Sequence, residues 1–391
     1  MERNKQLQRL QTLRATVKKW LLVTDMQPLD AVLSTVIANR MNSDPLWLFL
    51  IGPPSSAKTE LIQPLKQLEY VYPLSSLTPQ TFASGYVGKE ESLLNKLKRN
   101  DILTFKDFTS ILTMHRDNRG AILGQLREIY DGHYRKTFGT GGDVNWSGKL
   151  GFIAGVTPII DTHYAVFNTL GERFIQVRMR PVNEIQVARK AMRNNGREGD
   201  MRAEIATAMK QFLAGTTIPN IEEIELPKAL ETQLANLAAF TVKARSAIMR
   251  DGRTREVGYI PDAEAPPRFA KQLLLLAQAS PILRAATRVG SQEMRLVLRA
   301  ALDCLPADRL KVVKMLCRNR TPLSISELAR MLHMPIPTTD RVLEELTCHG
   351  VVASDKAGRE RLCRLSDWSR MRLRGFFSEV SRGMQSATPC Y

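Results

Sequence analysis

Residues 52–59 read Gly-Pro-Pro-Ser-Ser-Ala-Lys-Thr, the spacing G-x-x-x-x-[G]-K-[ST] of a phosphate-binding loop with alanine in place of the second glycine. In such a segment (Gly52, Pro53, Pro54, Ser55, Ser56, Ala57) backbone N–H groups and the following helix N-terminus cradle phosphate oxygens. Lys58 would neutralise β/γ-phosphate charge, and the Thr59 hydroxyl would ligate Mg²⁺. The chemistry implied is ATP binding; a solvated lysine on a serine-rich turn is the plainer alternative.

Hydrolysis also needs an acid at the end of a neighbouring strand. Residues 102–108, Ile-Leu-Thr-Phe-Lys-Asp-Phe, supply Asp107, but not cleanly. With Asp107 as the Mg²⁺ ligand, Phe108 falls where a water-activating glutamate is wanted. With Asp107 in that glutamate's place, Lys106 falls where the metal-linked acid belongs. Glu128, on the next helix, is therefore a reserve candidate for polarising water. The plainer alternative is Asp107 as a cap for a helix starting near Thr109.

These residues need a scaffold. The apolar run 47–51, the loop and a helical stretch 59–68 form strand, turn and helix in that order. Further strands are expected at 70–73, 102–105 and 150–156 with helical patterns between, which argues for an α/β fold with a mainly parallel sheet. The expected division is a basic N-terminal helix (1–26), an ATPase core (27–181), a helical lid (182–304), a winged helix (305–370) and a disordered basic tail (371–391).

Composition sets the wider limits. The 391 residues carry 56 Lys plus Arg against 39 Asp plus Glu, a formal charge of +17, which favours a polyanionic partner. At about 150 residues per domain the length suggests two or three domains. No apolar run reaches the roughly 18–20 residues of a membrane span, and no signal peptide is recognisable, so a cytoplasmic protein without membrane contact is expected. Five cysteines, none spaced C-x-x-C, support neither a zinc knuckle nor a disulfide framework.

The motifs also fall in a familiar order. The alanine before Lys58 resembles the loop of minichromosome-maintenance (MCM) helicases, and residues 105–108 resemble their second acidic motif, with Lys106 as a departure. Residues 134–156 read as a hairpin ahead of a core strand, similar to the pre-sensor hairpin of that AAA+ group. Thr157 looks like the sensor-1 position, Arg173 like the arginine finger and Arg268 like sensor 2. The resemblance spans roughly residues 44–305 and is closest to compact MCM-like ATPases of phages and mobile elements. It implies a homo-oligomeric ring, expected to be a hexamer, in which Arg173 reaches the nucleotide of the next subunit and Arg268 contacts phosphate. Arg135, Lys136 and Lys149, with Trp146 interleaved, would line a pore and contact single-stranded DNA.

Residues 306–366 carry a second pattern: helix, capped helix (Ser324, Glu327), turn, a helix capped by Thr338 or Thr339, and two strands. That is a winged helix, resembling MarR-like regulators and the C-terminal modules of MCM-type helicases. Thr338, Thr339 and Arg341 would meet a major groove in duplex DNA, and Lys356, Arg359 and Arg361 the phosphates. Glu344 and Glu345 on the same helix count against deep insertion. The leading expectation is an ATP-dependent DNA motor, a helicase or replication initiator of a phage or mobile element. The alternatives are an ATP-controlled DNA-binding regulator, a loader or an assembly ATPase without unwinding activity.

Overall fold

The computed structural model describes residues 2–83, 92–139, 143–164, 172–254, 256–319, 321–357 and 360–382. The chain divides into two compact units: Met1–Ile160, Glu172–Leu226 and Leu275–Glu293 in the first; Asp161–Gly171, Pro227–Leu274 and Met294–Tyr391 in the second. The segment 182–304, expected as one lid, is thus shared between them.

In the first unit, β1 (Trp47–Ile51), β2 (Val71–Leu74), β3 (Ile102–Phe105), β6 (Gly151–Val156) and β7 (Phe174–Arg178) form a parallel sheet in the order β2-β3-β6-β1-β7. β4 (His133–Thr137) and β5 (Asp143–Ser147) pair separately as a hairpin. Strands β1, β3 and β6 are buried along their whole length, which is why they read as unbroken apolar runs. β7 escaped the sequence reading because Gln176 and Arg178 break its apolar pattern. Its Phe174 stacks on Phe49 at 3.7 Å between ring centroids, and Phe108 joins the same cluster 4.8 Å from Phe49.

The N-terminal helix Glu2–Trp20 packs against the helix Glu198–Ala214 and buries Leu10, Leu13, Val17 and Trp20. Two of its cations are paired within the unit: Arg14 bonds both Asp30 oxygens at 2.7 and 2.8 Å, and Lys19 bonds Glu204. After the loop, only Lys58–Ile62 is α-helical and Gln63–Gln67 is a 3₁₀ turn, because Pro64 has no N–H to donate.

The second unit contains a two-stranded hairpin, β8 (Met249–Arg250) and β9 (Val257–Tyr259), and a three-stranded sheet of β10 (Leu323–Ser324), β11 (Val352–Ala357) and β12 (Glu360–Leu365) in the order β10-β12-β11. Helices Ala307–Arg318, Ile325–Leu332 and Ile336–Cys348 pack with that sheet. The capping box expected at Ser324 and Glu327 is present. Residues 371–382, expected as part of a disordered tail, are instead helical, held by buried Phe376 and Val380. Residues 383–391 lie outside the described residues. Among the described residues no helix is long and apolar enough to cross a membrane. Cys304, Cys317, Cys348 and Cys363 are free thiols, and burial pushes Cys317 up to about 12.

Candidate functional site

Because the sheet is parallel, β1, β3 and β6 all end at one edge, and the loops leaving them meet there. Gly52 follows β1 and donates its N–H to the Val156 carbonyl at 3.1 Å. A Cβ at Gly52 would stand 2.5 Å from the Ser56 Oγ and 2.9 Å from Met179, so the loop's close turn requires glycine. Ser55 and Ala57 take positive φ angles of 61° and 64°. Successive N–H groups alternating between right- and left-handed conformations form an anion-binding concavity. With only five α-helical residues behind it and no N–H on Pro53 or Pro54, the loop itself, more than a helix dipole, must supply any anion affinity.

Lys58 is buried, and its Nζ donates to the carbonyls of Gly52 (2.5 Å) and Pro53 (2.6 Å) and to the Ser56 hydroxyl (3.2 Å). Burial holds its pKa below the ordinary lysine value, opposed by the nearby Asp107 carboxylate. Thr59 is half-buried beside it. The sequence-predicted pair Lys58 and Asp107 is therefore brought together.

Asp107 is exposed, and its Oδ1 accepts the Thr109 N–H at 3.0 Å. Thr109 Oγ1 in turn bonds both the backbone N–H (3.0 Å) and the hydroxyl (3.1 Å) of Thr157 at the end of β6. Gly155 permits this approach: a Cβ there would lie 2.6 Å from the Lys106 carbonyl oxygen, and its own carbonyl accepts the Phe108 N–H at 2.7 Å. Burial separates the side chains of this segment. Phe108 is fully enclosed in the aromatic core while Lys106 and Asp107 face solvent, so Asp107 is the exposed acid of this segment, in whichever of the two registers it serves.

Two catalytic candidates lie elsewhere. Glu128 is on the helix Arg116–Tyr130, whose end contacts the beginning of β1: Tyr130 meets Trp47 at 5.1 Å. That is the amino edge of the sheet, a five-residue strand or ~17 Å from the loop. Glu128, the reserve candidate for polarising water, is thus placed away from the Lys58 loop of the same chain. Arg173 precedes β7 at the same amino edge, buried, with its Nη2 at 2.8 and 3.1 Å from the Asp131 oxygens. Residues 165–171, which include part of the expected finger segment, lie outside the described residues. Arg268 belongs to the second unit, where its Nη1 is 3.4 Å from Glu264.

In the β4–β5 hairpin, Tyr134, Val144 and Trp146 form the buried face. Trp146 is therefore a packing residue, correcting its expected availability for base stacking. Arg135 is exposed, and Lys136 lies 5.0 Å from the Phe138 ring. Lys149 is not on the hairpin: it donates to the Ser43 carbonyl at 2.8 Å and pairs with Asp44 at 3.2 Å, a tie for the turn before β1 rather than an open cation. Residues 140–142 of the hairpin turn lie outside the described residues.

The winged helix sorts its candidates likewise. The helix Ile336–Cys348 begins earlier than expected, with Pro335 as its N-cap, so neither Thr338 nor Thr339 caps it. Thr339 is fully buried and bonds the Pro335 carbonyl at 3.1 Å, which removes it from a DNA face. Thr338 is half-exposed, and Arg341 and Lys356 are exposed. Arg361 pairs with Asp340 at 2.5 Å, so its charge is largely spent within the fold. Arg359 lies outside the described residues. Glu344 pairs with Arg250 at 2.7 Å and Glu345 with Arg309 at 3.0 Å, so the acids that seemed to oppose groove insertion are neutralised; composition gave no sign of these long-range partners.

Among the described residues no group of three or more His, Cys, Asp or Glu is arranged to hold a metal ion. No curated protein matches the chain. Residues 310–356 match the IclR helix-turn-helix domain, a winged helix-turn-helix as expected from the sequence. The chain thus carries an IclR-type helix-turn-helix DNA-binding domain near its C-terminus, behind a mixed α/β unit built on a five-stranded parallel sheet.

Proposed function

We propose that the protein is a DNA-binding ATPase in which nucleotide turnover at a homo-oligomeric ring interface drives movement of DNA. The observation that carries this reading is the meeting of Lys58, Asp107 and Thr157 at the carboxyl edge of one parallel sheet, where α/β proteins bind their ligands. The donor set suits a triphosphate with Mg²⁺: a buried lysine within a backbone concavity, the Thr59 hydroxyl and one exposed carboxylate. Magnesium normally keeps several waters and phosphate oxygens, so one or two protein ligands suffice. Bound Mg²⁺ would withdraw charge from the transferring phosphoryl group. Lys58 would then neutralise phosphate, Asp107 and Thr59 would hold the ion, and Thr157 would be oriented through Thr109.

Arg173, at the opposite sheet edge, would act on a neighbour's nucleotide after leaving Asp131. Arg268 would report nucleotide state to the helices around it. Arg135 and Lys136 would meet a translocating strand, and the winged helix would hold duplex.

A second reading is an ATP-controlled DNA-binding regulator or loader without unwinding. It is favoured by the burial of Phe108 and the remoteness of Glu128, which among the described residues put neither in place as a water-activating group beside Asp107. A forked-duplex unwinding assay beside DNA-stimulated ATP hydrolysis separates the two, with Lys58→Ala as control. Unwinding lost in Lys58→Ala supports the motor. DNA-stimulated hydrolysis without unwinding supports the regulator or loader, and no ATP binding at all refutes both.

A further inference from the structure

The β8–β9 hairpin lies outside the matched helix-turn-helix residues, yet it is tied to the helix Ile336–Cys348. Arg250 of β8 places Nη2 at 2.7 Å from Glu344 and 3.4 Å from the Arg341 carbonyl, and Nε at 3.5 Å from Glu345. Arg341 and Glu344, three residues apart, share the helix face turned away from buried Val342, Leu343 and Leu346. That is the face a recognition helix presents to a groove. A carboxylate there would repel phosphate unless a cation accompanied it. Beyond Arg250 the chain turns sharply, because the Asp251 carboxylate accepts the N–H groups of both Arg253 and Thr254 at 2.8 Å. The turn leaves Arg253 exposed, three residues beyond Arg250 at the tip of the hairpin.

We propose that the β8–β9 hairpin is a second, accessory wing of the duplex-DNA interface. Arg250 is its positioning residue: it neutralises Glu344 and fixes the hairpin beside Arg341. Arg253 contacts the DNA backbone outside the groove that the helix occupies. The proposal rests on DNA binding by the winged helix and widens its footprint beyond the domain's usual residues.

The test is anisotropy titration of the full chain against a labelled random-sequence duplex over a salt series. Arg253→Ala is expected to weaken binding and to reduce the slope of log K against log salt by about one phosphate contact. Arg250→Gln is expected to weaken binding about tenfold by exposing Glu344 to phosphate, and Arg250→Gln with Glu344→Gln to recover most of that loss. A purely structural role for Arg250 would give no recovery, since the double variant still lacks the tie, and would overturn its assignment. Unchanged binding by Arg253→Ala, or tighter binding by Arg250→Gln, overturns the wing; the latter would mark the hairpin as a cover on the helix. Arg341→Ala and Lys356→Ala distinguish the underlying reading. If they weaken binding and the hairpin variants do not, only the accessory wing fails; if the wild type binds no duplex, both fail.

Discussion

One guanidinium nitrogen of Arg173 lies within hydrogen-bond distance of both carboxylate oxygens of Asp131, and the arginine side chain is only 6% exposed. Removing the carboxylate leaves a buried cation without this partner. Asp131→Ala should therefore lower folding stability by about 1.5–3 kcal/mol, read from urea unfolding. If Arg173 is instead free to serve a neighbouring subunit at no cost, the change will be within 0.5 kcal/mol, the usual range of a surface substitution at about that size. On the proposed ring, mixing Lys58→Ala and Arg173→Ala chains should restore part of the hydrolysis, because each interface would then draw one residue from each chain; silence of the mixture counts against the shared site.

Ala57 holds a φ of 64°, a conformation that costs an L-residue more than glycine. Ala57→Gly restores the usual loop residue and should raise stability by about 1 kcal/mol. Chemical denaturation of the two proteins checks it; a loss of stability would mean that the αL position is not strained.

At Gly155 the neighbour is backbone and cannot swing aside: the Lys106 carbonyl oxygen would be 2.6 Å from an added Cβ. Gly155→Ala should push the β3 loop outward, break the Phe108 N–H bond to residue 155 and displace Asp107. The expected result is a protein several degrees less stable with hydrolysis reduced more than ATP binding. Equal loss of both would show that the variant misfolds globally rather than moving one loop.

His349 ends the recognition helix, where a helix dipole ordinarily favours imidazolium. Burial and the nearby Arg309 charge outweigh that and hold its pKa below 6.5, against a hydrogen bond to the Ala247 backbone. The unfolded chain then binds a proton that the folded chain refuses, so stability falls as pH drops below about 6.5 towards the depressed value. His349→Gln should flatten that part of the stability profile, measured as Tm against pH. A profile identical to the wild type's would remove His349 as the source.

In the winged helix, Arg341→Ala and Lys356→Ala should weaken duplex binding, with the salt slope falling by about one contact for Lys356. Thr339→Ser should leave DNA affinity unchanged while lowering stability slightly, because its methyl group is buried. Weaker binding by Thr339→Ser without a stability change would return that residue to the DNA face.

Much of this was legible in local sequence. The turn that follows β1 and the fully apolar strands β1, β3 and β6 follow from composition and periodicity over short windows, and so does the capping box at Ser324. What stayed hidden depends on partners far along the chain. Whether Phe108 or Asp107 faced solvent required the aromatic cluster of Phe49 and Phe174. That Glu344 is neutralised required Arg250, 94 positions away, and that Glu128 sits at the wrong sheet edge required the direction of one helix across the sheet. The sequence by itself determined which groups the chain possesses and in what local conformation they begin. Only the tertiary structure decided which of them remain charged, exposed and adjacent, because desolvation and ion pairing act through space and carry no trace in sequence separation.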